Sequence, residues 1–380
     1  MVSIMRLLLL FLLFFEVGSA FAQAGPQVVY GERFRYHTAE DQVLRVYLDR
    51  EGSFYPDAVI PDAALQASNA SLQAYYEAHP DAFQTVAARY GLEVNTYSEE
   101  SFGNLQAAVV TRLTDAINQL DPSHDLFLLI HGFRKPLVAQ QWSSSSQSDY
   151  AAVRRSIAQR YSGSQGVQFI EVYWDGTFDC CIGRKTKVNK RIFQLFEQVA
   201  QVQATRTGYA LRQLVVGIER EQINIVTHSL GAQVGISLLS NTYDERIDTM
   251  LQSLPTPAQP QVNICMLAPA ISKDPFTDYD ERTNALSLSD ADNYHLSVLY
   301  NKKDFVLRKR VLVFGPGPKK YGNTALGCNC RRELYKLEDY FLEHFPNSPL
   351  HLYEAAIGGT HRFRRYVDSE AFSAFLEELD

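Results

Sequence analysis

The serine at position 229 lies in a sequence setting that favours a nucleophile. The segment Thr-His-Ser-Leu-Gly occupies positions 227–231, between an apolar run at Ile223–Val226 and a helical pattern that starts near Gly231. A sharp strand-to-helix turn projects a serine hydroxyl, and it needs small residues on both sides because strand and helix pass closely there. Gly231 meets this need, whereas Thr227 stands where glycine is usual. The segment predicts a nucleophile elbow at Ser229, and the alternative is a plain turn with a helix-capping serine.

A histidine and an aspartate late in the chain could activate such a serine, because their residue types and their order in the sequence fit a base and its orienting acid. A hydroxyl needs a base, and the base needs a carboxylate that fixes its tautomer. His361 follows a strand predicted at 350–356, and Asp304 lies four residues after a strand predicted at 296–300. We expect both side chains at the carboxyl ends of these strands. Asp274, in a looser acidic segment, is the alternative acid.

A glycine-containing turn earlier in the chain could supply donors for an oxyanion. His131, Gly132 and Phe133 directly follow an apolar strand predicted at 126–130. Acyl transfer requires N–H groups that are fixed in advance where negative charge develops. The predicted donors are the backbone N–H of Leu230 and that of Phe133 or Gly132. The alternative is a tight turn with a structural histidine.

The elements that must position these residues alternate between strands and helices. Helical patterns cover 72–92 with a break at Pro80, then 105–120, 189–216, 231–239 and 372–379. A polar loop is predicted around Ser143–Ser146. Apolar runs predict strands at 44–48, 126–130, 167–174, 223–226, 262–267, 296–300 and 350–356. This alternation predicts an α/β fold with a doubly wound, mostly parallel sheet.

These motifs, in this order, resemble the α/β-hydrolase superfamily over about residues 100–380. The sequence looks closest to a bacterial branch of serine esterase-like and lipase-like proteins with His-Gly-Phe and His-Ser-x-Gly signatures, here at 131–133 and 228–231. The strand end Tyr173-Trp174-Asp175-Gly176 is similar to that branch too. The resemblance implies a sheet of the α/β-hydrolase type and a Ser-His-Asp triad of Ser229, His361 and Asp304, usually for ester hydrolysis.

We therefore expect a serine hydrolase that acts on a small-molecule or lipid-like acyl substrate. Two other functions stay open. The first is a non-catalytic binding protein on a hydrolase scaffold, which is favoured by Thr227 because the usual elbow has glycine at that position. The second is an acyltransferase or amidase that would use the same nucleophile. No cofactor or metal is expected, because the chain has no phosphate loop, dinucleotide fingerprint or metal-ligand spacing.

The N-terminal segment predicts a removed signal peptide at 1–22. Arg6 precedes an apolar run at Leu7–Phe15, which is too short to span a bilayer, and Ala20-Phe21-Ala22 is a small-x-small cleavage site. An uncleaved anchor is the alternative. The mature protein is expected in the periplasm or outside the cell. Residues 101–380 are expected to form the catalytic domain, and residues 23–100 are expected to be an N-terminal extension or an edge of its sheet.

Five cysteines fit an oxidising compartment. Cys265 lies in an apolar strand and is expected to be a buried free thiol. Cross-pairing between the clusters Cys180/Cys181 and Cys328/Cys330 is the simplest arrangement, because adjacent cysteines bridge each other only with strain. A zinc site is the alternative, although the spacings do not match the common zinc motifs.

The charge distribution excludes a general nucleic-acid binder. The net charge is -7, and no run after the signal peptide is long and apolar enough for a transmembrane helix. Charge is uneven, however. Residues 302–365 carry thirteen Lys or Arg against six Asp or Glu, a local +7 around Asp304 and His361. This stretch predicts a preference for anionic substrates or surfaces, and the alternative is a solvated face without a role.

Overall fold

The structure is a computed structural model, which describes ten stretches of the 380-residue chain. The described residues are 37–38, 43–56, 71–133, 146–161, 166–174, 196–239, 260–277, 294–308, 326–347 and 350–379. The predicted signal peptide at 1–22 lies outside these ranges, as do Cys180 and Cys181. Within the described ranges, no helix combines the length and the apolar character needed to cross a membrane.

Eight strands of the described part of the chain form one sheet. In chain order they are β1 (His37–Thr38), β2 (Val43–Leu48), β3 (Asp125–Ile130), β4 (Val167–Trp174), β5 (Gln222–His228), β6 (Gln261–Leu267), β7 (Tyr294–Tyr300) and β8 (Leu350–Glu354). Across the sheet they lie in the order β1-β2-β4-β3-β5-β6-β7-β8. Only the β1–β2 pair is antiparallel among these neighbours, and β2 to β8 are all parallel. The predicted doubly wound, mostly parallel α/β sheet is confirmed.

Burial on both faces explains the continuous apolar runs. Every residue of β3 from Leu126 to Ile130 is 0% exposed, as is typical of a parallel strand that helices cover on both sides. β5 pairs Thr227 with Ile130 and His228 with Leu267. Three neighbouring strands therefore end side by side, directly before Ser229.

Helices pack against the sheet in two groups. They are α1 (Leu72–Ala78), α2 (Pro80–Arg89), α3 (Glu99–Asn118), α4 (Ser146–Arg160), α5 (Gln201–Val216), α6 (Gly231–Leu239), α7 (Asp274–Thr277), α8 (Glu333–His344), α9 (Phe363–Val367) and α10 (Glu370–Leu379). A π-helical turn at Phe196–Ala200 leads into α5. α5 contacts α3 and α6, whereas α4, α9 and α10 contact one another.

Four of the described helices, α4, α7, α8 and α9, were not predicted from the sequence. Of the predicted polar loop at Ser143–Ser146, only Ser146 lies within the described residues, and it begins α4. α4 is largely polar, and its buried apolar face consists of Tyr150, Val153 and Ile157. Three apolar positions in fifteen residues make a weak periodic signal, so the helix depends on packing rather than on its own pattern.

The N-terminal residues contribute an edge strand. β2 pairs in parallel with β4, and Arg45 of β2 is ion-paired there with buried Glu171 at 3.1 Å. Asp49, directly after β2, is fully buried and accepts the backbone N–H groups of Leu72 and Ser53 at 2.6 and 2.8 Å. Burial raises the pKa of the Asp49 carboxyl to about 6. A charged side chain directly after this edge strand is therefore part of the interior.

Within the described residues, the sulfur of Cys328 lies at disulfide distance from that of Cys330, its near neighbour in sequence. The intervening Asn329 has a φ of 46°, and this turn brings the two Cα atoms to 5.1 Å, within the range that a disulfide spans. Cross-pairing with Cys180 and Cys181, which lie outside the described residues, stays a prediction. Cys265 is a buried free thiol, as predicted, and burial raises its pKa well above the usual value.

Candidate active site

Ser229 occupies a strained turn between β5 and α6. Its φ of 56° lies in the left-handed region, which costs a non-glycine residue about 1–3 kcal/mol. Neighbouring backbone holds the turn in place. The Ser229 N–H donates to the carbonyl of Leu267 at 2.9 Å, and the N–H of Ala270 donates to the carbonyl of Ser229 at 3.0 Å. The geometry is that of the strand-to-helix turn predicted from the sequence.

Two glycines allow the turn after β3 to lie against this serine. A Cβ atom on Gly132 would stand 2.7 Å from the Cβ of Ser229 and 2.8 Å from the carbonyl oxygen of His228. A Cβ atom on Gly231 would stand 2.7 Å from the carbonyl oxygen of His131. Real Cβ atoms do not approach so closely. Close contact between the two turns therefore requires glycine at both positions.

Thr227, the departure from the usual elbow pattern, is accommodated by a third small residue. Thr227 is fully buried in β5. A Cβ atom on Gly235, in the facing turn of α6, would come within 3.1 Å of the Thr227 methyl group. The extra volume of threonine is thus offset by the missing side chain on the helix, and strand and helix still pass closely.

Ser229, His361 and Asp304 form a continuous hydrogen-bonded chain. His361 Nε2 is 3.0 Å from Ser229 Oγ, and His361 Nδ1 is 2.6 Å from Asp304 Oδ2. A carboxylate can only accept, so Nδ1 carries a proton and Nε2 is left to accept the serine proton. The His361 side chain is 14% exposed and Asp304 is fully buried. In this arrangement, His361 Nε2 can accept the proton of the Ser229 hydroxyl.

The carboxylate of Asp304 is enclosed by donors. Oδ1 accepts the backbone N–H groups of Val306 and Leu307 at 2.9 and 3.1 Å. Oδ2 accepts the Tyr366 hydroxyl at 2.9 Å besides His361 Nδ1. Hydrogen bonds of this kind stabilise a buried carboxylate in its charged form.

The alternative acid, Asp274, lies elsewhere. It is the first residue of α7, its side chain is 59% exposed, and its carboxylate lies 3.7 Å from Lys273 Nζ. It also accepts the Ser272 hydroxyl at 2.9 Å. Of the two candidate acids, the structure brings Asp304 to His361.

The predicted oxyanion residues lie beside the serine, in a turn that side chains hold firmly. The N–H of His131 donates to the Tyr150 hydroxyl at 2.7 Å, and the indole N–H of Trp174 donates to the His131 carbonyl at 2.8 Å. His131 Nδ1 lies 2.8 Å from the carbonyl oxygen of Gly132, so the ring itself closes the turn. His131 is structural, and the turn it closes carries Phe133. Leu230, the other predicted donor, is fully buried next to the serine.

The loop that carries His361 is tied down on two sides. The Asn301 side chain donates to the carbonyl oxygens of Gly358 and Thr360 at 2.7 and 3.3 Å. His228 Nε2 donates to the carbonyl of His361 at 3.1 Å. The base is therefore held through its backbone as well as through its ring.

No sequence motif pointed to Tyr366 or Asn301 as part of this site. Both are polar residues whose partners are distant in sequence. Phe363, Tyr366 and Val367 are buried and share a helical face at i, i+3 and i+4, and this spacing is the one signal that places the tyrosine inward. Nothing in the sequence indicated that the hydroxyl faces Asp304.

Basic side chains surround the loops that carry Asp304 and His361. Those exposed in the described ranges are Lys302, Lys303, Arg308, Arg362, Arg364 and Arg365. Lys302 pairs with Glu354 at 2.6 Å, and Arg364 lies 3.7 Å from Asp368. Two of the six charges are thus partly offset, and the surface of these loops stays cationic.

The described residues contain no group of three or more His, Cys, Asp or Glu side chains that could hold a metal ion. The residues brought together around Ser229 can perform nucleophilic and general-base chemistry with protein groups alone. No protein-family model matches the sequence, and a search of curated proteins finds no match.

Proposed function

We propose that this protein is a serine hydrolase of the α/β-hydrolase type that cleaves carboxylic esters. The observation that carries the proposal is the unbroken chain from Ser229 Oγ through His361 to Asp304, with contacts of 3.0 and 2.6 Å. The strained φ of 56° at the serine supports it, because nucleophiles on strand-to-helix turns adopt such conformations.

The proposed reaction has two halves. Ser229 Oγ attacks the acyl carbonyl carbon while His361 Nε2 takes the hydroxyl proton, and the tetrahedral oxyanion is held by the backbone N–H groups of Leu230 and of Phe133 or Gly132. The carbon–oxygen bond to the leaving group then breaks, and His361 gives its proton to the departing alkoxide. Water attacks the acyl-enzyme with the same base, which releases the acid and restores the serine.

Asp304 has an orienting role in this scheme. Its buried carboxylate fixes the Nδ1–H tautomer of His361 and stabilises the imidazolium that forms in each half-reaction. The substrate is a small-molecule or lipid-like acyl ester, and no cofactor takes part. We place the activity in the periplasm or outside the cell on the strength of the predicted signal peptide at residues 1–22.

The test is covalent labelling by a fluorophosphonate probe, followed by hydrolysis of p-nitrophenyl esters of increasing acyl length. Labelling and ester cleavage are expected for the wild type, and Ser229→Ala should lose both, with kcat reduced on the order of 10⁴-fold or more. Ser272→Ala is the matched control, because it removes another serine hydroxyl, next to Asp274, and should leave labelling unchanged.

Labelling that persists in Ser229→Ala would place the nucleophile elsewhere. A folded wild type that neither reacts with the probe nor cleaves any ester would favour the binding-protein alternative.

A further inference from the structure

The hydrogen bond from Tyr366 to Asp304 has no part in the reaction scheme above. The Tyr366 hydroxyl lies 2.9 Å from Asp304 Oδ2, the same oxygen that faces His361 Nδ1. Tyr366 is fully buried, and burial together with the adjacent Asp304 charge raises its pKa above the usual value. The phenol therefore stays protonated and donates its hydrogen to the carboxylate.

From this geometry we infer that Tyr366 is a positioning residue that sets the basicity of His361 through Asp304. The inference rests on the proposed function of the Ser229 site. A carboxylate has about four lone-pair positions. Here Val306, Leu307, Tyr366 and His361 supply one donor each, so all four are used.

The consequence is a division of negative charge on Oδ2. With the phenol in place, Oδ2 shares its charge between Tyr366 and His361. Without the phenol, the negative charge of Oδ2 interacts with His361 alone, and the imidazolium form of His361 is stabilised more strongly. Tyr366 thus keeps His361 available as a neutral base at lower pH.

The local fold ensures that Tyr366 reaches this oxygen. α9 begins two residues after His361 and turns Phe363, Tyr366 and Val367 inward. The ring of Phe363 stacks on that of His228 at 4.7 Å, and Arg160 donates to the carbonyl of Val367 at 3.0 Å. His361 and Tyr366 therefore come to Asp304 as one rigid segment.

Other titratable groups face the same site. The His228 ring lies 4.9 Å from the His361 ring and is hydrogen-bonded to the His361 carbonyl. Arg362 is exposed beside it. Neither is altered by Tyr366→Phe, which removes only one oxygen atom. A change in the titration of His361 in that variant therefore reports on the phenol.

The experiment compares wild type, Tyr366→Phe and the control Tyr76→Phe. Tyr76 is a fully buried tyrosine that packs against Phe83 and Phe102 in another part of the core. Two readouts are used: the pH dependence of kcat/KM on one p-nitrophenyl ester, and NMR titration of the His361 ring in the resting protein.

In Tyr366→Phe, both the acidic limb of kcat/KM and the NMR midpoint of His361 should move up by about 0.5–1 pH unit. The kcat/KM should fall about threefold to tenfold near pH 6 and stay within about threefold of wild type on the alkaline plateau. Tyr76→Phe should match wild type in both readouts.

An unchanged or lowered His361 midpoint in folded Tyr366→Phe would overturn the inference, even if thermal stability drops, because the phenol would then be structural only. A wild type without activity would count against the proposed function alone. The NMR titration would still decide whether Tyr366 acts on His361.

Discussion

Replacing Asp304 by asparagine should reverse the polarity of the proposed base. Two backbone N–H groups, those of Val306 and Leu307, donate to Oδ1 at 2.9 and 3.1 Å, so the amide oxygen of an asparagine would take that position. The amide NH₂ would then stand where Oδ2 stands, 2.6 Å from His361 Nδ1. An NH₂ donates, and His361 would have to accept at Nδ1 and carry its proton on Nε2. The ring would then present a hydrogen to Ser229 and could not take the serine proton.

The size of the effect follows from the lost tautomer. An equivalent change in a Ser-His-Asp triad lowers kcat by on the order of 10⁴-fold, or roughly 5 kcal/mol of activation free energy. Asp274→Asn is the matched control. Asp274 is 59% exposed and lies against Lys273, so its variant should keep kcat within about twofold of wild type.

The assay is steady-state hydrolysis of one p-nitrophenyl ester by wild type, Asp304→Asn and Asp274→Asn, with folding checked by circular dichroism. Near-normal kcat in a folded Asp304→Asn would refute the tautomer argument. Loss of activity by orders of magnitude in Asp274→Asn alone would show that the acid had been assigned to the wrong residue.

Three further predictions concern the surroundings of the site and the N-terminal edge. Gly132→Ala should lower kcat/KM about 10²-fold, because the added Cβ would stand 2.7 Å from the Ser229 Cβ and displace the nucleophile; normal kinetics would contradict this. Asp49 has a pKa raised from 3.8 to about 6 by burial, so its folded state binds the proton more tightly and its stabilising contribution should be lost as pH rises from about 4 to about 6. Urea unfolding of wild type and Asp49→Asn across that range should show the wild type losing stability relative to the variant, and parallel curves would disprove it. The cationic stretch at 302–365 should make kcat/KM for an anionic ester fall with added salt more steeply than for a neutral one, and equal salt dependence would remove this idea.

Much of the sheet could be predicted because its parallel strands are buried on both faces. The run at 167–174 was predicted with the bounds of β4, and α6 with the bounds Gly231–Leu239. Such segments show their structure locally, since nearly every side chain must be apolar. α4 could not be found in this way, because only three of its fifteen residues form the buried apolar face.

The residues of the candidate triad and their order along the chain could also be predicted from the sequence. A serine on a strand-to-helix turn, followed by an acid and a histidine after later strands, is a pattern of residue types and positions. That pattern names Ser229 and His361, yet it left Asp304 and Asp274 both open, because chain order does not fix which loop lies beside the histidine.

Tertiary structure decided the contacts that depend on distant parts of the chain. β7 and β8 pair in parallel, with Tyr300 opposite Glu354, and this register brings the loops of Asp304 and His361 together. The same packing turned the Tyr366 hydroxyl onto the Asp304 carboxylate and placed Asp49 in the interior. Residue types and periodicity determine which segments become strands and helices. Hydrogen bonds between residues many positions apart are decided only when the strands pair and the helices pack.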